Sequence, residues 1–78
     1  MTTTIAYAIA SDNNVSLTIY DVAGRKVRAL VNERQKADVY KMTWDGVNDA
    51  GTRVASGVYF YKLVAGKFTQ TKKMVLLK

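Results

Sequence analysis

Two carboxylates in one polar segment are the clearest candidates for chemistry in this sequence. Asp45 and Asp49 are four residues apart, with Asn48 and Gly51 beside them. Paired carboxylates can act as general acid and base, and alternating oxygen ligands can hold calcium. The segment lacks the bidentate Glu and the ligand spacing of a calcium loop, whereas Asp and Asn commonly close turns through backbone amides. We therefore interpret residues 45–51 as a turn.

Other catalytic groups are scarce. The sequence has no histidine and no cysteine, which are the commonest sources of a general base, a reactive thiolate or a zinc ligand. Ser56-Gly57 fits neither a nucleophile elbow nor a Ser-x-x-Lys pattern, and isolated glycines do not form a phosphate-binding loop. The sequence predicts no catalytic residue, no metal site and no cofactor, and therefore a protein that is not an enzyme.

Binding to an anionic ligand is the remaining possibility. The net charge of +6 arises entirely in residues 50–78, which hold six cations and no acid, whereas residues 1–49 balance to zero. A basic segment with aromatic rings could bind carbohydrate, nucleic acid or another acidic partner. Lysines also keep sheet edges from aggregating. We favour a solvated surface, expect no specific nucleic acid, and keep a carbohydrate or anionic-ligand module as an alternative.

The elements that would position these residues follow a period of two, which is typical of strands. We expect about seven antiparallel strands in an all-β, immunoglobulin-like sandwich. The expected strands cover residues 4–9, 15–20, 26–31, 40–44, 52–55, 58–64 and 68–77. The first two are predicted to form a hairpin through residues 11–14, and residues 32–38 are predicted to be a loop.

The alternation also predicts which side chains face the core. Phe60 shares the phase of Lys62, so we expect it on an outer face, as part of an interaction patch. The predicted core residues are Ile5, Val15, Leu17, Ile19, Tyr40, Met42, Trp44, Tyr59, Tyr61 and Leu63. With 78 residues and no linker composition, the whole chain, residues 1–78, is expected to be one domain. No apolar run is long enough to span a bilayer, and no signal-peptide pattern opens the chain.

Several motifs resemble a known family. The most specific blocks are Trp44-Asp45-Gly46 and Ala55-Ser56-Gly57-Val58-Tyr59-Phe60-Tyr61, and segments 17–27, 48–51 and 71–78 also fit. Together they resemble the C-terminal immunoglobulin-like domain related to the FlgD hook-capping protein, and the C-terminal sorting domains of type IX secretion. The resemblance covers nearly the whole chain. Family members commonly carry proline near position 10 and glycine near position 38. Ala10, Asp38 and the complete lack of proline are consistent with an engineered sequence.

The resemblance implies a non-catalytic module at the C-terminus of a larger secreted or cell-surface protein, from which this domain is excised. Its implied partners are the export machinery of the outer membrane or neighbouring domains of the parent protein. The implied recognition surface is the final segment: Lys72, Lys73, Met74, Val75, Leu76, Leu77 and Lys78. The alternatives are a structural spacer or assembly domain, and a final strand that only completes a sheet. A strand-mediated dimer is also compatible with exposed sheet edges.

Overall fold

Six antiparallel strands form two sheets. The computed structural model describes residues 2–77. Within that range the regular secondary structure consists of strands and contains no helix. The strands are β1 (Thr3–Ile9), β2 (Asn13–Tyr20), β3 (Lys26–Gln35), β4 (Asp38–Trp44), β5 (Gly57–Ala65) and β6 (Phe68–Leu76). One sheet pairs β1 with β4, and the other has the order β3-β2-β5-β6. The predicted all-β, antiparallel fold is confirmed.

The core lies between the two sheets because alternate side chains of each strand point to the same face. In β1 the buried positions are Ile5, Tyr7 and Ile9, and in β2 they are Val15, Leu17 and Ile19. The fully buried indole of Trp44 meets the ring of Tyr59 edge-on, with ring centroids 5.0 Å apart. This contact joins β4 of one sheet to β5 of the other.

The predicted hairpin between the first two strands is wrong. β1 pairs with β4 and β2 pairs with β3 and β5, so the chain crosses between the sheets at residues 10–12. Both strands bury apolar residues at alternate positions in the same core, but they belong to different sheets. The backbone amide of Ala37 donates a 2.8 Å hydrogen bond to the carboxylate of Asp12, which ties this crossing to the β3–β4 connection.

Two further boundaries differ from the prediction. Residues 32–35 continue β3 instead of forming a loop, because a strand at a sheet edge tolerates polar side chains on its solvent side. A register shift leaves Leu30 as an extra residue opposite β2, which explains the imperfect alternation in this strand. Residues 52–55 form only an isolated bridge, between Arg53 and Val47, and the strand count is therefore six rather than seven.

Candidate functional site

Asp45 and Asp49, the candidate acid–base pair, stabilise the loop between β4 and β5. Asp49 accepts a 3.1 Å hydrogen bond from the backbone amide of Ala29, and its other carboxylate oxygen lies 3.9 Å from the Lys26 ammonium. Asp45 accepts from the amide of Val47 at 3.3 Å and lies 3.7 Å from the Arg28 guanidinium. Each carboxylate therefore serves a separate contact with β3. Within residues 2–77, no three of the side chains His, Cys, Asp and Glu cluster as a metal site would require.

Asn48 organises the same loop. Its side-chain oxygen accepts hydrogen bonds of 3.0 Å from the amides of both Ala50 and Thr52, and its own amide donates to the Thr52 carbonyl at 2.9 Å. These bonds satisfy backbone donors that the loop would otherwise leave unpaired. The geometry is that of a turn.

A second turn, between β2 and β3, is held by Asp21. Its carboxylate accepts hydrogen bonds from the amides of Ala23 and Arg25, and it pairs with the Arg25 guanidinium at 3.0 Å. These donors, above all the Arg25 amide, hold the pKa of the Asp21 carboxyl below its usual range. The carboxylate has a structural role in the turn.

The ring of Tyr7 makes a polar contact at the other end of the core. Its hydroxyl donates a 2.7 Å hydrogen bond to the side-chain oxygen of Gln35, and its ring stacks on Tyr40 with centroids 5.3 Å apart. Burial raises the pKa of the Tyr7 hydroxyl. The arrangement joins β1 to β4 within one sheet and to β3 across the sandwich.

The structure distributes the predicted core residues in two groups. Tyr40 and Met42 are partly buried and pack against the core. The remaining eight are buried: Ile5, Val15, Leu17, Ile19, Trp44, Tyr59, Tyr61 and Leu63. Tyr7, Ile9, Val27, Val31, Ala65 and Leu76 are buried as well.

The predicted recognition segment does not present one surface. β6 lies at an edge of the four-stranded sheet. As in any strand, its successive side chains point to opposite faces of the sheet. Lys73 and Val75 lie on the outer face, opposite Phe60 and Val58 of β5. Lys72, Met74 and Leu76 share the face that points between the sheets. Leu76 is fully buried, Leu77 is exposed, and Lys78 lies outside the described residues.

An apolar strip runs along the outer face of the four-stranded sheet. Val58 and Val75 are directly opposite each other and are 39% and 50% exposed. Phe60 is half-buried beside them and pairs with Tyr20 of β2 on one side and Lys73 of β6 on the other. This position of Phe60 follows from its phase in the sequence.

The two sheets are unequal in width, and the difference leaves β6 partly uncovered. Along the face of β6 that points between the sheets, exposure falls from 52% at Phe68 to 0% at Leu76. Gln70 and Met74 are half-buried between them, and Lys72 is exposed. The Leu76 end of β6 is therefore covered, and its Phe68 end forms an open corner.

A small apolar cavity lies at this open corner. It has a volume of about 180 Å³ and lies between the end of β1, at Ala8 and Ile9, and the β5–β6 turn, at Ala65 and Phe68. Beside it, β1 has a strand neighbour on one side only within the described chain. The corner thus combines apolar side chains with an unpaired strand edge. Sequence reasoning missed it, because it depends on which strands pair.

No segment of residues 2–77 forms a helix that is long and apolar enough to cross a bilayer.

Comparison with known proteins gives matches of two kinds, to a protein family and to solved structures. The family described as "FlgD Ig-like domain" matches residues 1–68. Among solved structures, the chain is similar to FlgD from P. aeruginosa, with a TM-score of 0.77 and 22% sequence identity. That alignment covers 97% of this chain and 61% of the solved chain, so the sequence spans less than two thirds of that protein. It supports the immunoglobulin-like fold. No curated protein matches the sequence.

Proposed function

The chain belongs to the FlgD Ig-like domain family, and on this premise we propose that it is a non-catalytic module that docks onto other proteins during assembly of a larger structure. The family match over residues 1–68 is the observation that carries the proposal. A role of this kind needs a rigid scaffold and an exposed binding surface, not a reactive group. The sandwich with its open strand edges supplies both.

The polar groups support a role without catalysis. Asp45 and Asp49, the most plausible acid–base pair, are each engaged by a cation and by a backbone amide. Each of these carboxylates therefore has a structural role in the loop. Among residues 2–77, Tyr7 and Asp21 are the two groups with a perturbed pKa, and both make structural contacts.

A domain replacement tests the assembly role. The immunoglobulin-like domain of P. aeruginosa FlgD would be replaced by residues 1–78 of this chain, and the chimera expressed in a strain that lacks FlgD. We expect flagellar hooks to form, as counted by electron microscopy. The matched control is a chimera carrying an unrelated immunoglobulin-like sandwich of similar length. Equal failure of both chimeras, with the inserted domain folded, would contradict the assembly role.

Export or cell-surface attachment of a larger secreted protein is the second candidate. It is favoured by the resemblance to type IX sorting domains and by the edge position of β6, whose outer face carries Lys73 and Val75. In this case the partner is the export machinery of the outer membrane, and the location is the cell surface or the medium. The mode of recognition would be contact with the outer face or strand pairing at the β6 edge.

A reporter fusion separates the two candidates. Residues 1–78 would be fused to the C-terminus of a periplasmic reporter in a bacterium with type IX secretion. Appearance of the reporter outside the cell would support export, and its retention in the periplasm with the domain folded would exclude it. A second fusion that carries Lys73→Glu and Val75→Thr tests whether the export machinery recognises the exposed side of β6. Both side chains are exposed, so the fold should be retained.

A further inference from the structure

We propose that the free edge of β1 and the uncovered face of β6 form a groove that accepts an extended segment of a partner protein as a third strand of the smaller sheet. The segment would carry apolar residues toward the core and a carboxylate opposite Lys72. This inference rests on the docking function proposed above and names the chemistry of the docked partner.

The width of the sheets provides the first argument. The smaller sheet has two strands and the larger has four. Ala8 and Ile9 at the end of β1 line a cavity together with Phe68, the first residue of β6. Only residues 36 and 37 separate β3 from β4, so the Asp38 end of β4 starts close to the end of β3, at one edge of the larger sheet. The cavity at Ala8, Ile9, Ala65 and Phe68 shows that the end of β1 faces the β5–β6 turn. A strand added beside β1, at the usual spacing of roughly 4.8 Å, would lie over β6.

The composition of β1 provides the second argument. Its seven residues, Thr3–Ile9, carry no charge, and a sheet edge is normally protected by charged residues, proline or a bulge. The other outer strands differ in this respect. Within the described chain, β3 carries Lys26 and Arg34, β4 carries Asp38 and Lys41, and β6 carries Lys72 and Lys73. An uncharged edge beside an open apolar corner is suited to accept a strand.

The environment of Lys72 defines the charge of the partner. Lys72 lies opposite the buried ring of Tyr61, so it is on the core-facing side of β6 although it is exposed. The ion pairs among residues 2–77 are formed by Arg25, Lys26 and Arg28, and none involves Lys72. Residues 50–78 contain no acidic side chain at all. A carboxylate on the added strand would supply the missing countercharge, while its apolar residues would cover Phe68 and Met74.

A synthetic peptide probes the groove. Its nine residues, the length of β6, alternate valine and threonine, with valine at both ends and glutamate in place of valine at the centre. This sequence reads the same in both directions, so parallel and antiparallel binding present the same side chains. We expect saturable binding in an NMR titration up to about 1 mM peptide. The shift changes should be confined to β1 and the core-facing positions of β6. A peptide with proline at its centre, which cannot complete the strand, should not bind.

Charge reversal identifies the site. Lys72→Glu should weaken binding of the glutamate peptide about fivefold or more and should favour a peptide with lysine at the centre. The matched control is Lys73→Glu, which makes the same change of charge at the next residue but on the outer face, and it should leave the preference unchanged. Equal effects of the two variants would overturn the site, because they would indicate attraction by net charge alone.

The remaining outcomes are also decisive. Shift changes on the outer face, around Tyr20, Phe60 and Lys62, would overturn the groove while the docking function stands. Absence of binding by the glutamate peptide at about 1 mM would overturn the groove as well. The docking function is judged separately, by hook formation in the chimera.

Discussion

The indole nitrogen of Trp44 donates a 3.0 Å hydrogen bond to the backbone carbonyl of Val47. The same carbonyl accepts a second bond, of 3.3 Å, from the guanidinium of Arg28. Through these two contacts the loop that follows β4 is fastened both to the core and to β3. The bond explains how a large, fully buried indole satisfies its polar atom in a small core.

Replacing Trp44 by phenylalanine should destabilise the domain by about 2–3 kcal/mol, from the lost volume and the lost hydrogen bond together. Urea denaturation followed by circular dichroism measures the change. Tyr59→Phe is the companion variant, since it removes only a hydroxyl that donates to the Ala55 carbonyl at 2.6 Å. That variant should cost about 1 kcal/mol. A Trp44→Phe variant as stable as the wild type would show that the indole does not anchor the loop.

Asn48→Ala should destabilise the loop by about 1–2 kcal/mol, because two backbone amides lose their acceptor. Asn48→Asp keeps an oxygen at this position and should retain most of the stability. The free energy of unfolding of each variant, from urea titration, provides the comparison. Equal losses for alanine and aspartate would rule out the acceptor role of the side chain.

Gly66 in the β5–β6 turn has a φ of 59°, and a Cβ placed there would lie 2.6 Å from the Asn13 side chain. Gly66→Ala should therefore cost about 1–3 kcal/mol from backbone strain and from displacement of Asn13. Gly51→Ala is the matched control, because its φ of 84° is also positive but nothing lies within 4 Å of its added Cβ. The loss of stability in Gly51→Ala should therefore reflect backbone strain alone.

A double variant separates the two terms at Gly66. In an Asn13→Ala background the cost of Gly66→Ala should fall toward that of Gly51→Ala, because the steric conflict is gone. If the cost of Gly66→Ala is the same in both backgrounds, Asn13 does not contribute. Thermal unfolding of the wild type, the three single variants and the double variant, under one set of conditions, measures these costs.

The turn held by Asp21 should respond to acid. Its pKa is lowered in the folded protein, so the folded state favours the charged carboxylate. The stability it contributes is present above the ordinary aspartate pKa of about 3.9 and is lost as the pH falls through the lower, folded pKa. The stability difference between the wild type and Asp21→Asn should therefore shrink below about pH 4. Urea titrations at several pH values measure it, and a difference independent of pH would contradict the role of the charge.

The sequence reveals the faces of the strands far better than their partners. The alternation of apolar and polar residues around Val15, Leu17 and Ile19 is a local property. It predicts burial because alternate side chains of a strand point to the same face, and that face packs against the core. The partner of β1 is set by the whole sandwich, and no local signal distinguishes a hairpin from a crossing between sheets. The bulge at Leu30 likewise arises from pairing with β2.

The candidate site shows the same division. The role of Asp45 and Asn48 in a turn could be read from residue types, since both side chains accept bonds from nearby amides. The final segment is predicted to be one recognition surface, although Leu76 within it is buried. Which side chains of this segment face the core is clear only from the pairing of Leu76 with Gly57. The open corner between β1 and β6 needs both sheets to be known.

Amide hydrogen exchange in the isolated domain tests the open edge of β1, on which the account of docking depends. The amides of β2 and β5, which have strand neighbours on both sides, should exchange slowly throughout. In β1, alternate amides should exchange much faster, because those that point away from β4 have no strand partner. Uniformly slow exchange across residues 3–9 would contradict the account, since it would mean that this edge is already covered.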